Sequence, residues 1–181
     1  MASTFILYRI LGNDLPPRHG ERQTLENLRF ILAHEPQFPD CEKRWVVNRI
    51  ADAAREAELL GVLAAAGQKV VHLRFDLAEY SRRHFDADGL PEVFSPLEIL
   101  AGKLPPGGGG HVLEWLYRQK NLYAINVNGA RNAALDDGFA AGARWVMPWD
   151  GACFLTQAGF AGMHAAIVKN LDARYLVVPM A

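Results

Sequence analysis

The residues best suited to chemistry are concentrated between Asn126 and Phe154, NVNGARNAALDDGFAAGARWVMPWDGACF. Asn128-Gly129 reads as a turn that opens a helix. Arg131 and Asn132 are then expected on its first turn, where free backbone N–H groups and the helix dipole favour an anion. Farther along, Arg144 to Met147 is short and holds Trp and Val, the signature of a buried strand rather than a helix. Pro148 cannot donate to a sheet ladder, so the strand is expected to fray there and to deliver Asp150 to an exposed strand end. A carboxylate at such a tip suits a ligand or a metal, although Asp-Gly is also ordinary turn composition. The neighbourhood favours the ligand reading, because an anion-binding helix start lies one strand away. For Arg131 the structural alternative is a pair with Asp136 or Asp137 farther along its helix.

These residues need a scaffold, and the upstream chain supplies one. Thr4 to Leu11 (TFILYRIL) is a strand that ends on Gly12-Asn13-Asp14. Leu25, Leu28, Ile31 and Leu32 recur at helical spacing until Pro36. Arg44 to Val47 gives a second strand, running into Asn48-Arg49. Asp52 is a good N-cap for a helix from Ala53, and Gly67 a good stop for it. The third strand is VVHLRF, ending at Asp76. Alternation at this spacing predicts a parallel α/β sheet with right-handed crossovers, in which ligands bind beyond the carboxyl ends of the strands. Each polar strand end has an ordinary loop explanation; their common address is what makes Asn13, Asn48, Arg49 and Asp76 candidates.

Asp76 to Asn121 breaks the rhythm and reads as an inserted loop with a short helix near Leu113 to Lys120. Its glycine run, Gly107 to Gly110, is followed by no phosphate-loop lysine and reads as a flexible hinge or mobile flap. His84 and His111 have no ligand spacing to one another and read as solvated. Gln157 to Asn170 is predicted helical, and Ala173 to Pro179 a last strand.

With 181 residues, half of them hydrophobic, the chain is long enough for one well-buried core and is read as a single domain over 1–181. The 19 basic and 20 acidic residues leave a net charge of -1, so there is no bulk electrostatic footprint for nucleic acid. Cys41 and Cys153 lack any paired spacing, which argues against a disulfide framework or zinc site and favours a reducing cytoplasmic compartment. No window approaches the ~18 apolar residues of a membrane span, and Met1 to Thr4 offers no basic n-region ahead of the short apolar run Phe5 to Leu7, so export is not expected.

Four segments, YRILGN (Tyr8 to Asn13), VVNRIAD (Val46 to Asp52), NVNGARNAA (Asn126 to Ala134) and WVMPWDGA (Trp145 to Ala152), resemble in order and spacing the donor-binding half of GT-A-fold glycosyltransferases, most similar to the family-2 nucleotide-diphosphosugar enzymes. The resemblance implies a mostly parallel sheet flanked by helices on both faces. It also implies transfer of a sugar from a nucleotide-diphospho-sugar donor, such as a UDP-sugar, to a saccharide, lipid or protein acceptor. In those terms Asp150 would anchor Mg2+ or Mn2+ and sugar hydroxyls, and Arg131 would hold the diphosphate. Asn13, Asn48 and Asn132 would meet nucleoside and sugar edges, with Arg49 and Asp76 also on the donor side. Three departures stand out. The second acid of the family's Asp-x-Asp falls on Ala152, leaving one carboxylate for a metal, or none if Arg131 alone neutralises the diphosphate. Asn48 stands where relatives carry Asp. The acceptor-binding part and the catalytic base of the family would lie beyond Ala181, so the chain is expected to be a piece of a longer enzyme or a non-catalytic binding module. A Rossmann cofactor domain is the remaining alternative, but GNDLPPRHG after the first strand lacks Gly-x-Gly-x-x-Gly.

Overall fold

The computed structural model describes residues 4–15, 19–86, 109–170 and 172–178. Within them β1 (Phe5–Leu11), β2 (Cys41–Asn48), β3 (Lys69–Leu73) and β4 (Trp145–Asp150) form one parallel sheet of four strands, ordered β3-β2-β1-β4. The helices are α1 (Gln23–His34), α2 (Ala53–Ala65), α3 (Leu77–Arg82), α4 (Gly109–Leu116), α5 (Arg118–Ile125), α6 (Val127–Ala140) and α7 (Gln157–Lys169). The chain winds outward from β1 through β2 to β3 and then crosses back to β4 on the other side of β1. The winding therefore reverses between β1 and β4.

β1 is paired on both edges, with Phe5 opposite Cys41 and Trp145. It is also covered on both faces, which is why its residues are apolar in succession rather than in alternation. Phe5 and Leu7 pack on Phe160, Met163 and Ile167 of α7, and Leu11 packs with Trp45 and Val47 on residues of α1 and α2. On the other face Ile6, Tyr8 and Val46 meet Ala130 and Ala134 of α6. Small residues recur every four positions along that helix, so it lies close to the sheet; a Cβ at Gly138 would come within 2.5 Å of Val146.

One buried residue of β1 is charged. Arg9, 1% exposed, pairs with Glu35, and Lys43 Nζ lies 3.0 Å from the same carboxylate. Glu35 also accepts from Leu155 N at 2.9 Å, and the Arg9 guanidinium lies 5.2 Å from the Trp149 ring centroid. The cluster joins β1, the end of α1, β2 and the segment after β4. Removing one member of such a buried group leaves its partner uncompensated, at a cost of about 3–5 kcal/mol.

The caps of α2 are as expected: Asp52 accepts from Ala54 N and Arg55 N, and Gly67 takes φ 63 just beyond the helix. Three expectations are corrected. β4 does not fray at Pro148 but continues to Asp150, with Pro148 opposite Tyr8. Trp145 N donates to Thr4 O, just before β1, and Gly151 N to Ile10 O of β1, so by alternation the Pro148 nitrogen points away from β1, toward an edge that no strand among the described residues pairs and where no donor is required. Ala173 to Val178 is irregular rather than a strand: Val178 packs against the α7 cluster while Tyr175 and Val177 are exposed, and Pro179 lies outside the described residues. Instead of one helix over Leu113 to Lys120 there are two, α4 and α5, meeting at Tyr117. Gly109 and Gly110 open α4, whereas Gly107 and Gly108, on which the flap reading also rests, lie outside the described residues. No helix among the described residues is long and apolar enough to cross a membrane.

Candidate functional site

A cavity of about 290 Å³ opens at the carboxyl edge of the sheet, between the ends of β1 and β4. That is where the winding reverses, the position at which open α/β sheets leave a crevice for ligands. Ile10, Gly12 and Asn13 line it from β1, and Asp150, Gly151 and Ala152 from β4. Asn48 and the start of α1 complete one wall; Ile125 and Val127, either side of the corner between α5 and α6, form another.

Gly151 determines where Asp150 stands. Its N–H donates to Ile10 O at 2.8 Å, and a Cβ there would sit 2.8 Å from that same backbone oxygen. The glycine lets the tip of β4 lie against β1, leaving the Asp150 carboxylate half-exposed over the cavity. Its Oδ1 lies 3.3 Å from Arg131 Nη2. α6 begins at Val127, after Asn126 in the left-handed region at φ 43. Arg131 consequently belongs to the second turn rather than the first, and it reaches across to Asp150. Asp136 and Asp137 are not its partners: Asp137 accepts from Tyr8 Oη at 2.5 Å and from Arg44 Nη1 at 2.6 Å, at the opposite edge of the sheet. Burial raises the Asp137 carboxyl, and those two donors outweigh it, so it titrates below the ordinary range.

The other strand-end candidates converge on a helix end. The C-terminus of α5 points at the sheet, and its last three carbonyls each receive a donor. Arg49 Nη1 donates to Tyr123 O at 3.0 Å, Asn13 Nδ2 to Ala124 O at 3.3 Å and Asn48 Nδ2 to Ile125 O at 2.8 Å. The amide oxygens are occupied as well: Asn13 Oδ1 accepts from Ala51 N at 2.8 Å, and Asn48 Oδ1 from Asn126 Nδ2 at 2.9 Å. Asn126 can fold back this way because residue 129 is glycine; a Cβ there would lie 2.2 Å from the Asn126 amide oxygen. Arg49, at φ 48, also stacks 4.0 Å from the Tyr123 ring centroid. Asp76 caps α3, accepting from Glu79 N and Ala78 N, bonds that hold its carboxyl below the usual range. Asn13, Asn48 and Asp150 thus share the cavity, with Arg131 touching Asp150. Arg49, Asp76 and Asn132 are not among its lining residues, and Asn132 is exposed on α6.

Residues before and within α1 also line the cavity. His19 Nδ1 accepts from Leu15 N at 3.1 Å, which leaves Nε2 for a ligand, and Asn27 contributes its amide. Gln23, Thr24 and Asn27 sit beside the apolar stripe on the first two turns of α1, and their polarity was the only sequence signal for them. Asp14, with a side chain only 5% exposed, accepts from Thr24 N at 2.9 Å and Thr24 Oγ1 at 2.7 Å, and Arg55 Nη1 lies 3.2 Å from it. The anion position at the start of α1 is therefore filled by a carboxylate of the chain itself.

The donor set does not amount to a dedicated divalent-metal site. Among the described residues no group of three or more His, Cys, Asp or Glu is arranged to hold an ion. Ala152 takes the position of a second acid, and the one carboxylate of the cavity already faces a guanidinium that offsets its charge. Comparisons of the chain with family models, curated proteins and solved structures gave no match.

Proposed function

We propose that this chain is a GT-A-type, glycosyltransferase-like domain that binds a nucleotide-diphospho-sugar at the crevice between β1 and β4, for transfer of the sugar to a second substrate. The observation that carries this reading is the cavity at the reversal of winding, walled by β1, β4 and the α5–α6 corner, with a single carboxylate at its mouth. Its volume of about 290 Å³ suits one ring system, a sugar or a nucleoside, rather than a whole donor. Apolar walls from Ile10, Leu15, Ile125 and Val127 favour a ring face, and Asn27, His19 and Asp150 offer groups to its hydroxyls.

Charge accumulates on the diphosphate as the anomeric bond breaks, and a cation already positioned there lowers the barrier by electrostatic stabilisation. Arg131 supplies such a cation beside the cavity mouth, held by Asp150. No residue described here is assigned as the general base.

The strand order is also that of half a dinucleotide-binding sheet, but two features disfavour that alternative. The turn after β1 lacks the glycine fingerprint, and Asp14 occupies the start of α1 where a pyrophosphate would sit. A non-catalytic nucleotide-sugar binding module is the second reading, favoured by Asp150 being the only carboxylate of the cavity lining among the described residues. Calorimetric titration with UDP- and GDP-sugars, followed by an assay for release of the nucleoside diphosphate, separates the two nucleotide-sugar readings. Binding with release supports the transferase, binding without release the module, and no binding removes both.

A further inference from the structure

We infer that this site neutralises the donor's diphosphate with Arg131 in place of a divalent cation, so that donor binding is independent of metal. The inference rests on the nucleotide-sugar reading above and concerns how that same site handles charge. Among the described residues no Lys or Arg lines the cavity, and Asp150 contributes the one carboxylate of its lining. A diphosphate cannot be accommodated against a lone carboxylate without a positive charge from somewhere.

Two sources are conceivable, an ion gathered by Asp150 or a side chain. An ion would have one carboxylate and no second acid, because Ala152 fills that position, and it would have to approach beside the guanidinium already 3.3 Å from Asp150 Oδ1. The guanidinium needs no assembly. It projects from the second turn of a helix of 14 residues whose first-turn N–H groups carry no side-chain cap, and Val127, the first of them, lines the cavity. Arg131 is also planar and forked, able to meet two phosphate oxygens at once where Lys meets one. In this arrangement Asp150 is a positioning residue: it holds the guanidinium at the mouth until phosphate oxygens compete for it.

The test is calorimetric titration of the whole chain with UDP and GDP, once in EDTA and once in manganese. The expected result is the same affinity in both buffers within about twofold. Arg131→Lys is expected to weaken that affinity about tenfold, with an unchanged melting temperature, and manganese is expected not to restore it. Asp150→Asn separates the alternatives further. If Asp150 only positions Arg131, whatever affinity the variant loses is the same in EDTA and in manganese; if it is a metal ligand, the variant loses a manganese-dependent affinity. Binding that appears or tightens tenfold only with manganese would overturn the inference while leaving the nucleotide-sugar reading intact. No binding of either nucleotide in either buffer would overturn both.

Discussion

The two halves of the carboxyl edge of the sheet carry similar residues and use them in opposite ways. On the β2 side, Asn13, Asn48 and Arg49 spend their donors on the last three carbonyls of α5. On the β4 side, Asp150 stands half-exposed over a cavity with a single long contact to Arg131. Residue type does not distinguish them. What does is whether a helix C-terminus comes down on the strand end, because its unpaired carbonyls require donors wherever they are removed from water. The first region is expected to set stability and the second to set ligand binding.

The largest effect is expected for Asn48→Leu. Asn48 is 1% exposed and satisfies both Ile125 O and the Asn126 amide, so the variant strands two polar groups at ~1–3 kcal/mol each. A loss of roughly 2–4 kcal/mol would lower the melting temperature of a domain this size by roughly 5–15 °C. A shift below 2 °C, read by thermal unfolding, would mean that the corner is not clamped by this residue. Gly151→Ala comes next, because its Cβ would meet rigid backbone at Ile10 O rather than a movable side chain. Overpacking of that kind costs about 1–3 kcal/mol, and the displaced tip should also weaken nucleotide-sugar binding. If stability fell with affinity intact, Asp150 would not belong to the binding site.

Asp150→Asn and Arg131→Lys sharpen the contrast from the other side. Their pair is exposed, so each should change unfolding free energy by less than ~1 kcal/mol. A larger loss from either would make the pair a structural element like the β2 side. The smallest effect on nucleotide binding is expected at the opposite edge of the sheet, where Arg44 binds Glu42 and Asp137 and Lys69 reaches Glu42. The Arg44 hydrogen bond, chiefly, brings the Glu42 carboxyl down from 4.5 to about 2. Its contribution is therefore complete above pH 4.5 and lost as pH falls through about 2. Denaturant unfolding between those values should show a slope that Glu42→Gln reduces, while nucleotide binding at neutral pH stays as in the parent.

The framework of the sheet was legible because it rests on local signals. Apolar runs broken by Gly12-Asn13, Asp52 as a cap and Gly67 as a stop each express a backbone preference that does not depend on distant residues. The parallel arrangement followed, since strands separated by helices of that length leave few other connections. The expected strand at Ala173 misled because a β-rich run becomes a strand only by pairing: the outer edge of β4 is left unpaired among the described residues, and Val178 packs on the α7 cluster instead. Pro148 misled for the complementary reason: at a free edge the missing donor is not needed.

For the site, the sequence by itself supplied Asp150-Gly151 at a strand end, Arg131 on a helix leading to it, and polar residues at the ends of β1 and β2. Tertiary structure decided which of them remain open. The residues facing one another across the carboxyl edge, Asn48 with Ile125 and Arg131 with Asp150, are 77 and 19 positions apart. Neither spacing is a helical or strand repeat, so no periodicity links the partners. A donor at a strand end looks the same in sequence whether it meets solvent, a ligand or a helix carbonyl; only the packing of α5 and α6 on the sheet determines which of these it meets.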